Sequence, residues 1–296
     1  MRNKVAEQRS GDVAPLRLEG QSVKVLPCAE GTEYLGKYLC LEGLHDQELQ
    51  QRVNKAWKKF GAHKDRLCCK EVPLAQRIKL FEATVTATAL YGSGSWTMTD
   101  ERRSKLQTTE RRMLRKMTGA KRRVAARGKG EQKTVGQEEV EYGKGEAKEK
   151  EEEEDAEETE SEEQKGSDSE ETDESWQEWL HRSTKIAMEA RTKAGVKSWL
   201  EEQRLRKWRW AGHTSRREDG RWSTALLDWQ PEGKRAKRGK PKARWDDEIK
   251  KHVQRTHGLF GDDWRFLAAC RDDWEREGDS FSRAAAEDQE DERRML

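Results

Sequence analysis

The spacing of apolar residues changes along the chain, and each change predicts a different element. Within residues 16–43 apolar and polar positions tend to alternate, and glycine and proline interrupt the run. Alternation is typical of short half-buried strands, while glycine and proline mark the turns between them. We therefore predict a small N-terminal β-hairpin or meander over residues 16–43. Residues 1–15 show no apolar periodicity and are expected to be disordered.

From residue 44 the period becomes helical, and three amphipathic stretches predict a three-helix bundle over residues 44–127. The second stretch follows Pro73, which suits a helix start, and the third begins near Thr99 and Asp100, which suit an N-cap. The three apolar stripes are Leu49, Val53, Ala56, Trp57 and Phe60; Leu74, Ile78, Phe81, Val85 and Ala89; and Leu106, Met113, Leu114 and Met117. Stripes at this spacing bury one face of each helix, so the helices are expected to share a core.

The helical pattern stops at a stretch of low complexity, residues 128–175. Between residues 138 and 175 the sequence holds 20 Asp/Glu against 4 Lys/Arg, a net charge of −16. Like charges repel, and almost no large apolar residue is available to bury. This stretch is predicted to be a disordered acidic linker.

Large aromatic residues return after the linker, since ten of the 12 tryptophans lie from Trp176 onward. Aromatic side chains supply much of the buried area of a small core. Residues 176–279 are therefore predicted to form a Trp-rich helical C-terminal lobe, and residues 280–296 are expected to fray. Helices are predicted near residues 176–193, 197–210, 219–228, 243–257 and 262–277. The fold class that follows is mainly α, with one small hairpin.

The composition limits how these elements can pack. Only 32% of the residues are hydrophobic and 40% are charged, so one core spanning the whole chain is not expected. Two modest cores on either side of the linker fit better.

The odd number of cysteines, five, argues against a disulfide framework. No apolar leader or membrane-spanning run is found, so we expect a nuclear or cytoplasmic protein that is neither secreted nor bound to a membrane.

The net charge of +2 hides a segregation that points to nucleic acid. Residues 44–127 hold 20 Lys/Arg against 8 Asp/Glu, or +12, and residues 178–255 hold 22 against 11, or +11. The candidate binding residues form two clusters: Arg111, Arg112, Arg115, Lys116, Lys121, Arg122 and Arg123; and Lys234, Arg235, Lys237, Arg238, Lys240, Lys242 and Arg244. Cations of this kind bind phosphates and release counterions. A solvated charged surface, or a nuclear-localisation-like run in the second cluster, is the plainer alternative.

Several short segments resemble the part of non-LTR (LINE-type) retrotransposon reverse transcriptases that follows the active site. In the first half these are Tyr34-Leu35-Gly36, RVNKAWKKF (52–60), QRIKLFEATVTATALYGSGSW (76–96) and LQTTERRMLRKMTG (106–119). In the second half they are RKWRWAGHTSRRED (206–219), ALLDWQPEGKRAKRGKPKARW (225–245), and Ala268, Arg271 and Trp274. The order of the segments matches the palm edge, thumb and C-terminal tail of that family. Cys270, where the family has an aspartate, and the acidic insert depart from it.

The resemblance implies a thumb-like bundle that follows the backbone of a template–primer. It also implies an absence, because the family's polymerase site needs paired carboxylates from a YADD-type hairpin upstream of Tyr34. The residues before Tyr34 contain a single aspartate, Asp12. We therefore expect a truncated reverse transcriptase fragment that binds RNA or DNA without catalysis and without a cofactor. A full-length retroelement polymerase is a further expected partner.

The sequence gives little support to a nuclease site or a zinc site. An endonuclease could use Glu248 and Lys250 with Asp228 or Asp246, but Glu-x-Lys also begins at Glu131, Glu146, Glu163 and Glu232, so the pattern carries little weight. A zinc site is disfavoured, because Cys68 and Cys69 are adjacent and His252 and His257 lack a CxxC partner. No catalytic or metal-binding residue is therefore predicted.

The tryptophans leave one alternative function open, a protein-interaction module built on the Trp-rich lobe. Trp208 and Trp210, which lie among arginine and lysine residues, could also stack on nucleic-acid bases. Tryptophans at helical spacing are more often part of a core.

Overall fold

The N-terminal strands form two short antiparallel hairpins. The computed structural model describes residues 16–18, 21–23, 26, 30–40, 44–123, 173–228 and 243–295. Strand β1 (Leu16–Leu18) pairs with β2 (Gln21–Val23), and β3 (Thr32–Tyr34) pairs with β4 (Lys37–Leu39). The second hairpin turns through Leu35 and Gly36, both at positive φ, as a tight two-residue turn requires. The region predicted to form a hairpin or a meander thus contains two separate hairpins.

The remaining described chain is mainly helical, as predicted. Before the acidic segment the helices are α1 (Leu44–Ala62), α2 (Lys64–Leu67), α3 (Leu74–Phe81), which continues through a π-helical turn (Glu82–Thr86) into α4 (Ala87–Ala89), and α5 (Asp100–Thr118). After it come α6 (Trp176–Lys193), α7 (Trp199–Ser215), α8 (Trp222–Asp228), α9 (Asp247–His257), α10 (Trp264–Ala269) and α11 (Arg271–Met295). None of these helices is long and apolar enough to cross a bilayer.

Local sequence signals explain where several helices begin and end. The Thr99 hydroxyl accepts a hydrogen bond from the Arg102 N–H, so the predicted N-cap of α5 is confirmed. Gly119, at positive φ, ends the same helix. Ser198 begins α7 with a capping box in which Glu201 reaches back to the Ser198 N–H.

The first core is not confined to the segment before the acidic linker. It contains the apolar faces of α1, α3 and α5, and also Ala187, Trp199 and Leu200. The Trp199 ring stacks on Phe81 with centroids 5.8 Å apart, and its Nε1 donates to the Thr86 hydroxyl at 2.7 Å. The sequence predicted a separate core on each side of the acidic linker, whereas this core contains residues from both sides. Helical periodicity shows that Trp199 has a buried face, but it does not show which distant residue covers that face.

The second core begins halfway along α7. Trp208 and Trp274 stack with centroids 3.7 Å apart, and each indole N–H donates to the other residue's carbonyl, at 2.7 and 3.0 Å. Trp264 and Phe281 complete this cluster. Helix α7 therefore contributes its first half to one core and its second half to the other.

The end of the chain differs from the prediction in two places. The single helix predicted over residues 262–277 is interrupted at Cys270, whose backbone is extended between α10 and α11. The tail predicted to fray from residue 280 instead continues α11, because Phe281 is fully buried against Trp208 and Ala284 is also buried.

The described chain divides into two units. One combines the chain up to Ala120 with the chain from Arg182 onward, and the other spans Lys121–His181. Most of the predicted acidic linker, and the first 15 residues, lie outside the described residues.

Candidate nucleic-acid interface

One side of α5 exposes only positive charge over most of its length. Between Arg102 and Thr118 the only acidic residue is Glu110, which is 2% exposed. Its two oxygens accept from the Arg191 guanidinium at 3.1 Å and from the Trp199 N–H at 3.1 Å. From Arg102 to Thr118 the helix thus turns its one carboxylate inward, and the solvent side of this stretch carries no negative charge of its own.

The four predicted cations of α5 divide into two pairs. Arg112 and Lys116 are exposed, and their i,i+4 spacing places them on the same face of the helix. Arg111 and Arg115 are half-buried. The Arg115 guanidinium donates to the Thr184 hydroxyl at 2.9 Å, and burial, followed by the charges of Arg112 and Arg111, lowers its pKa. Arg112 and Lys116 are therefore the α5 cations best placed for an external phosphate.

Two residues that the sequence did not single out extend this surface. The Lys116 ammonium lies 5.0 Å from the centre of the Trp57 ring in α1, a cation–π contact. The Lys70 side chain passes close to the end of α5, with its Cε 3.5 Å from where a Cβ on Gly119 would lie. We call Trp57, Lys70, Arg112 and Lys116 the basic face. Trp57 was predicted only as a core residue, and it is half-buried.

Of the other predicted binding residues, four have a described position. Lys121, Arg122 and Arg123 are exposed and belong to the second unit, where the Arg123 N–H donates to the Glu174 carboxylate at 2.8 Å. Arg244 is exposed, and its N–H donates to Asp247 at 2.5 Å. Six predicted residues lie outside the described residues: Lys234, Arg235, Lys237, Arg238, Lys240 and Lys242. The contribution of that second cluster stays a prediction.

The Glu-x-Lys pair considered for a nuclease is occupied by structural contacts. Glu248 accepts from Arg103 at 2.8 Å, from Arg204 at 3.4 Å and from Lys207 at 2.5 Å. Its side chain is 9% exposed. Burial raises the pKa of Glu248, but Lys207 and Arg204 outweigh burial and lower the pKa to about 2. Lys250 is paired with Asp246 and Asp262, at 2.9 and 2.7 Å.

The candidate metal ligands are likewise not assembled. Within the ranges that the structure describes, no three His, Cys, Asp or Glu side chains are grouped so that they could hold a metal ion. Cys68, which burial gives a raised pKa, lies with its Sγ 3.7 Å from the Lys116 carbonyl. The side chain of Asp228 lies outside the described residues.

The two tryptophans considered for base stacking have different surroundings. Trp208 is 1% exposed and belongs to the second core, as expected for helical spacing. Trp210 is 38% exposed and meets the Trp245 ring edge to face, with centroids 4.9 Å apart. Of these two tryptophans, Trp210 alone can therefore present ring surface to a ligand.

These residues define a helical protein with an exposed surface of cations beside an aromatic ring. Its sequence is similar to that of an uncharacterised transposon-derived protein from Caenorhabditis elegans, with 24% identity over 247 residues. The matched region covers 81% of this chain and 67% of the nematode protein. This distant similarity supports a transposon origin. No protein-family model matches the chain, and no solved structure matches it.

Proposed function

We propose that this chain derives from the palm edge, thumb and tail of a LINE-type retrotransposon reverse transcriptase, and that it binds the phosphate backbone of nucleic acid. The observation that carries the proposal is the charge of α5. Its exposed side holds Arg112 and Lys116, and Glu110, the only carboxylate between Arg102 and Thr118, is buried. The transposon-derived relative supports the origin, and the segment resemblance supports the thumb-like role.

The proposed binding is weak and largely independent of sequence. Phosphate contacts from lysine and arginine release counterions, so their affinity falls steeply as salt rises. The Lys116 ammonium beside the Trp57 ring is held in place by that contact, and Arg112 lies one turn away. The proposal assigns binding to the described residues and no chemistry. Glu248, Lys250 and Asp246, the nuclease candidates whose side chains are described, each serve as ion-pair partners.

Fluorescence anisotropy of a labelled 20-base-pair duplex, titrated from low to high salt, tests this function. We expect the double variant Arg112→Gln/Lys116→Gln to bind more weakly than the wild type at every salt concentration. Because two phosphate contacts are lost, the slope of log affinity against log salt should fall by about 2.

The matched control removes the same number of positive charges from another exposed site. Arg271 and Arg276 in α11 are 72% and 73% exposed and pair with Glu275 and Asp273. The variant Arg271→Gln/Arg276→Gln should keep the wild-type slope. No binding at low salt, or equal losses in the two double variants, would contradict the proposed function.

A further inference from the structure

A cavity of about 400 Å³ lies where the loop after α4 packs on α7. Its walls include Lys37 from β4, the loop residues Gly94 and Ser95, and Arg206 and Trp210 from α7. This volume falls in the usual range for small-ligand sites. The residues come from both halves of the sequence and belong to one unit of the structure.

Lys37 brings an ammonium group into this cavity. Its Nζ donates to the Ser95 hydroxyl, and no Asp or Glu among the described residues lies within ion-pair distance of it. Burial lowers the pKa of Lys37, while Glu48 acts in the opposite direction. Both Glu48 oxygens are already engaged, by Arg52 Nε at 2.9 Å and by the Tyr38 N–H at 2.5 Å. An anion in the cavity would therefore stabilise the charged form of Lys37.

Arg206 supplies a second cation whose donors are only partly used. Its Nε donates to Glu202 at 2.8 Å, and Nη1 donates to the Leu90 carbonyl at 2.8 Å. These two bonds fix the orientation of the guanidinium. A guanidinium has five N–H donors, so others remain for an oxygen anion in the cavity.

Trp210 adds an aromatic surface at the wall of the same cavity. It is held by Trp245, whose ring meets it at 77° and whose Nε1 donates to the Gly94 carbonyl at 2.7 Å. A Cβ on Gly94 would lie 3.3 Å from the Arg206 carbonyl oxygen, so the loop packs directly against α7. The loop, the two tryptophans and the cations therefore form a connected arrangement before any ligand binds.

We propose that this cavity binds one unpaired nucleotide of a single-stranded RNA or DNA, with its phosphate between Lys37 and Arg206 and its base on the Trp210 ring. Two cations and an aromatic face are the groups that single-strand-binding sites use for backbone and base. The proposal rests on the proposed function, because it names the form of nucleic acid that the chain recognises. It differs from the basic face, which recognises phosphates alone.

Two labelled oligonucleotides with equal numbers of phosphates test the base-binding role. One is a ten-residue oligothymidylate, and the other is a ten-residue chain of abasic deoxyribose phosphates. We expect the wild type to bind the oligothymidylate roughly tenfold more tightly, since stacking of one base supplies that difference. Trp210→Ala should abolish the preference, and Trp210→Phe should retain most of it.

The cation role has its own readout. Lys37→Gln should weaken binding of both oligonucleotides, because it removes a phosphate contact. Arg112→Gln/Lys116→Gln should also weaken both, yet keep the preference for bases. Circular dichroism and thermal unfolding establish that each variant is folded. If Trp210→Ala does not fold, the comparison of wild type, Trp210→Phe and Lys37→Gln decides the matter.

The outcomes separate the two proposals. Absence of binding to either oligonucleotide at low salt overturns the proposed function together with this inference. Equal binding of both oligonucleotides by the wild type overturns the nucleotide site and leaves backbone binding intact. Retention of the full preference by Trp210→Ala excludes Trp210 as the stacking residue and overturns the site as proposed.

Discussion

Glu248 shows how a residue that resembles a catalytic carboxylate can be structural. Its oxygens accept from Arg103 in α5 and from Arg204 and Lys207 in α7. The Lys207 side chain is fully buried, so its ammonium has exchanged water for this one carboxylate. Buried ion pairs offset their own desolvation only when every charge has a partner. Glu248 is therefore needed to keep buried cations paired.

We expect Glu248→Gln to destabilise the protein by about 3–5 kcal/mol, because it leaves a buried ammonium without a counterion. Urea unfolding followed by far-UV circular dichroism measures the change. Glu275→Gln is a suitable control, since Glu275 is 59% exposed and pairs with an exposed Arg271. That control should have almost no effect. Equal midpoints for Glu248→Gln and the wild type would contradict a stabilising role.

The pH dependence of the difference in stability between the wild type and Glu248→Gln gives a second check. The folded-state pKa of Glu248 is about 2, below its ordinary value of 4.5. A depressed folded pKa means that the stabilisation is fully present above pH 4.5 and is lost as the pH falls from there towards 2. The gap in stability between wild type and Glu248→Gln should therefore narrow over that interval. A gap that stayed constant would show that the charge of Glu248 is not its source.

At the scale of elements, α7 links the two cores and depends on close packing against α11. Trp199 and Leu200 lie in the first core, while Trp208 and Ala211 lie in the second. Gly212 is the next residue in α7, and the Trp274 side chain of α11 packs directly against it. A Cβ there would lie 2.3 Å from the Trp274 Nε1 atom, so the glycine is required for space.

Two Gly→Ala substitutions should have opposite effects. Gly212→Ala should cost at least about 1–3 kcal/mol, because the Trp274 ring must move and its reciprocal hydrogen bonds with Trp208 are lost. Gly61→Ala should stabilise by up to about 1 kcal/mol, because Gly61 lies in α1 and a Cβ there meets nothing within 4 Å. Chemical unfolding of both variants measures the difference. Destabilisation by both would mean that loss of glycine, rather than the contact with Trp274, is responsible.

The helices were largely predictable because their signals are local. Apolar periodicity identified α1, and the Thr99 cap identified the start of α5. Contacts between distant elements were not predictable in this way. The break at Cys270 and the shared core around Trp199 depend on which helix covers which face, and periodicity within one helix does not encode that.

The candidate site was predictable only where its residues lie in a single segment of the chain. Arg112 and Lys116 followed from charge and helical spacing in one segment. The sequence did not distinguish them from Arg115. The Arg115 guanidinium is half-buried and bonded to Thr184, which lies 69 residues further along the chain. The cavity at Lys37 and Trp210 joins residues even further apart, so no single stretch of sequence contained its pattern.

At the scale of the whole molecule, the two halves of the described chain should fold as one cooperative unit. Trp199 packs on Phe81, Glu248 pairs with Arg103, and Trp245 donates to Gly94, so apolar, ionic and hydrogen-bonded contacts all join them. A fragment containing only residues 16–123 would expose the apolar surface that Trp199 covers. It should therefore be poorly folded alone.

Separately expressed fragments 16–123 and 173–295 should associate when mixed and gain helical signal in far-UV circular dichroism beyond the sum of the two. Trp199→Ala in the second fragment should weaken the association by about 100-fold or more, because a buried tryptophan and its bond to Thr86 are lost. Trp222→Ala is the matched control, since Trp222 is 83% exposed. It should leave the association unchanged. Additive spectra with no complex formed would instead show two lobes that fold independently, and the shared core around Trp199 would then contribute little to folding.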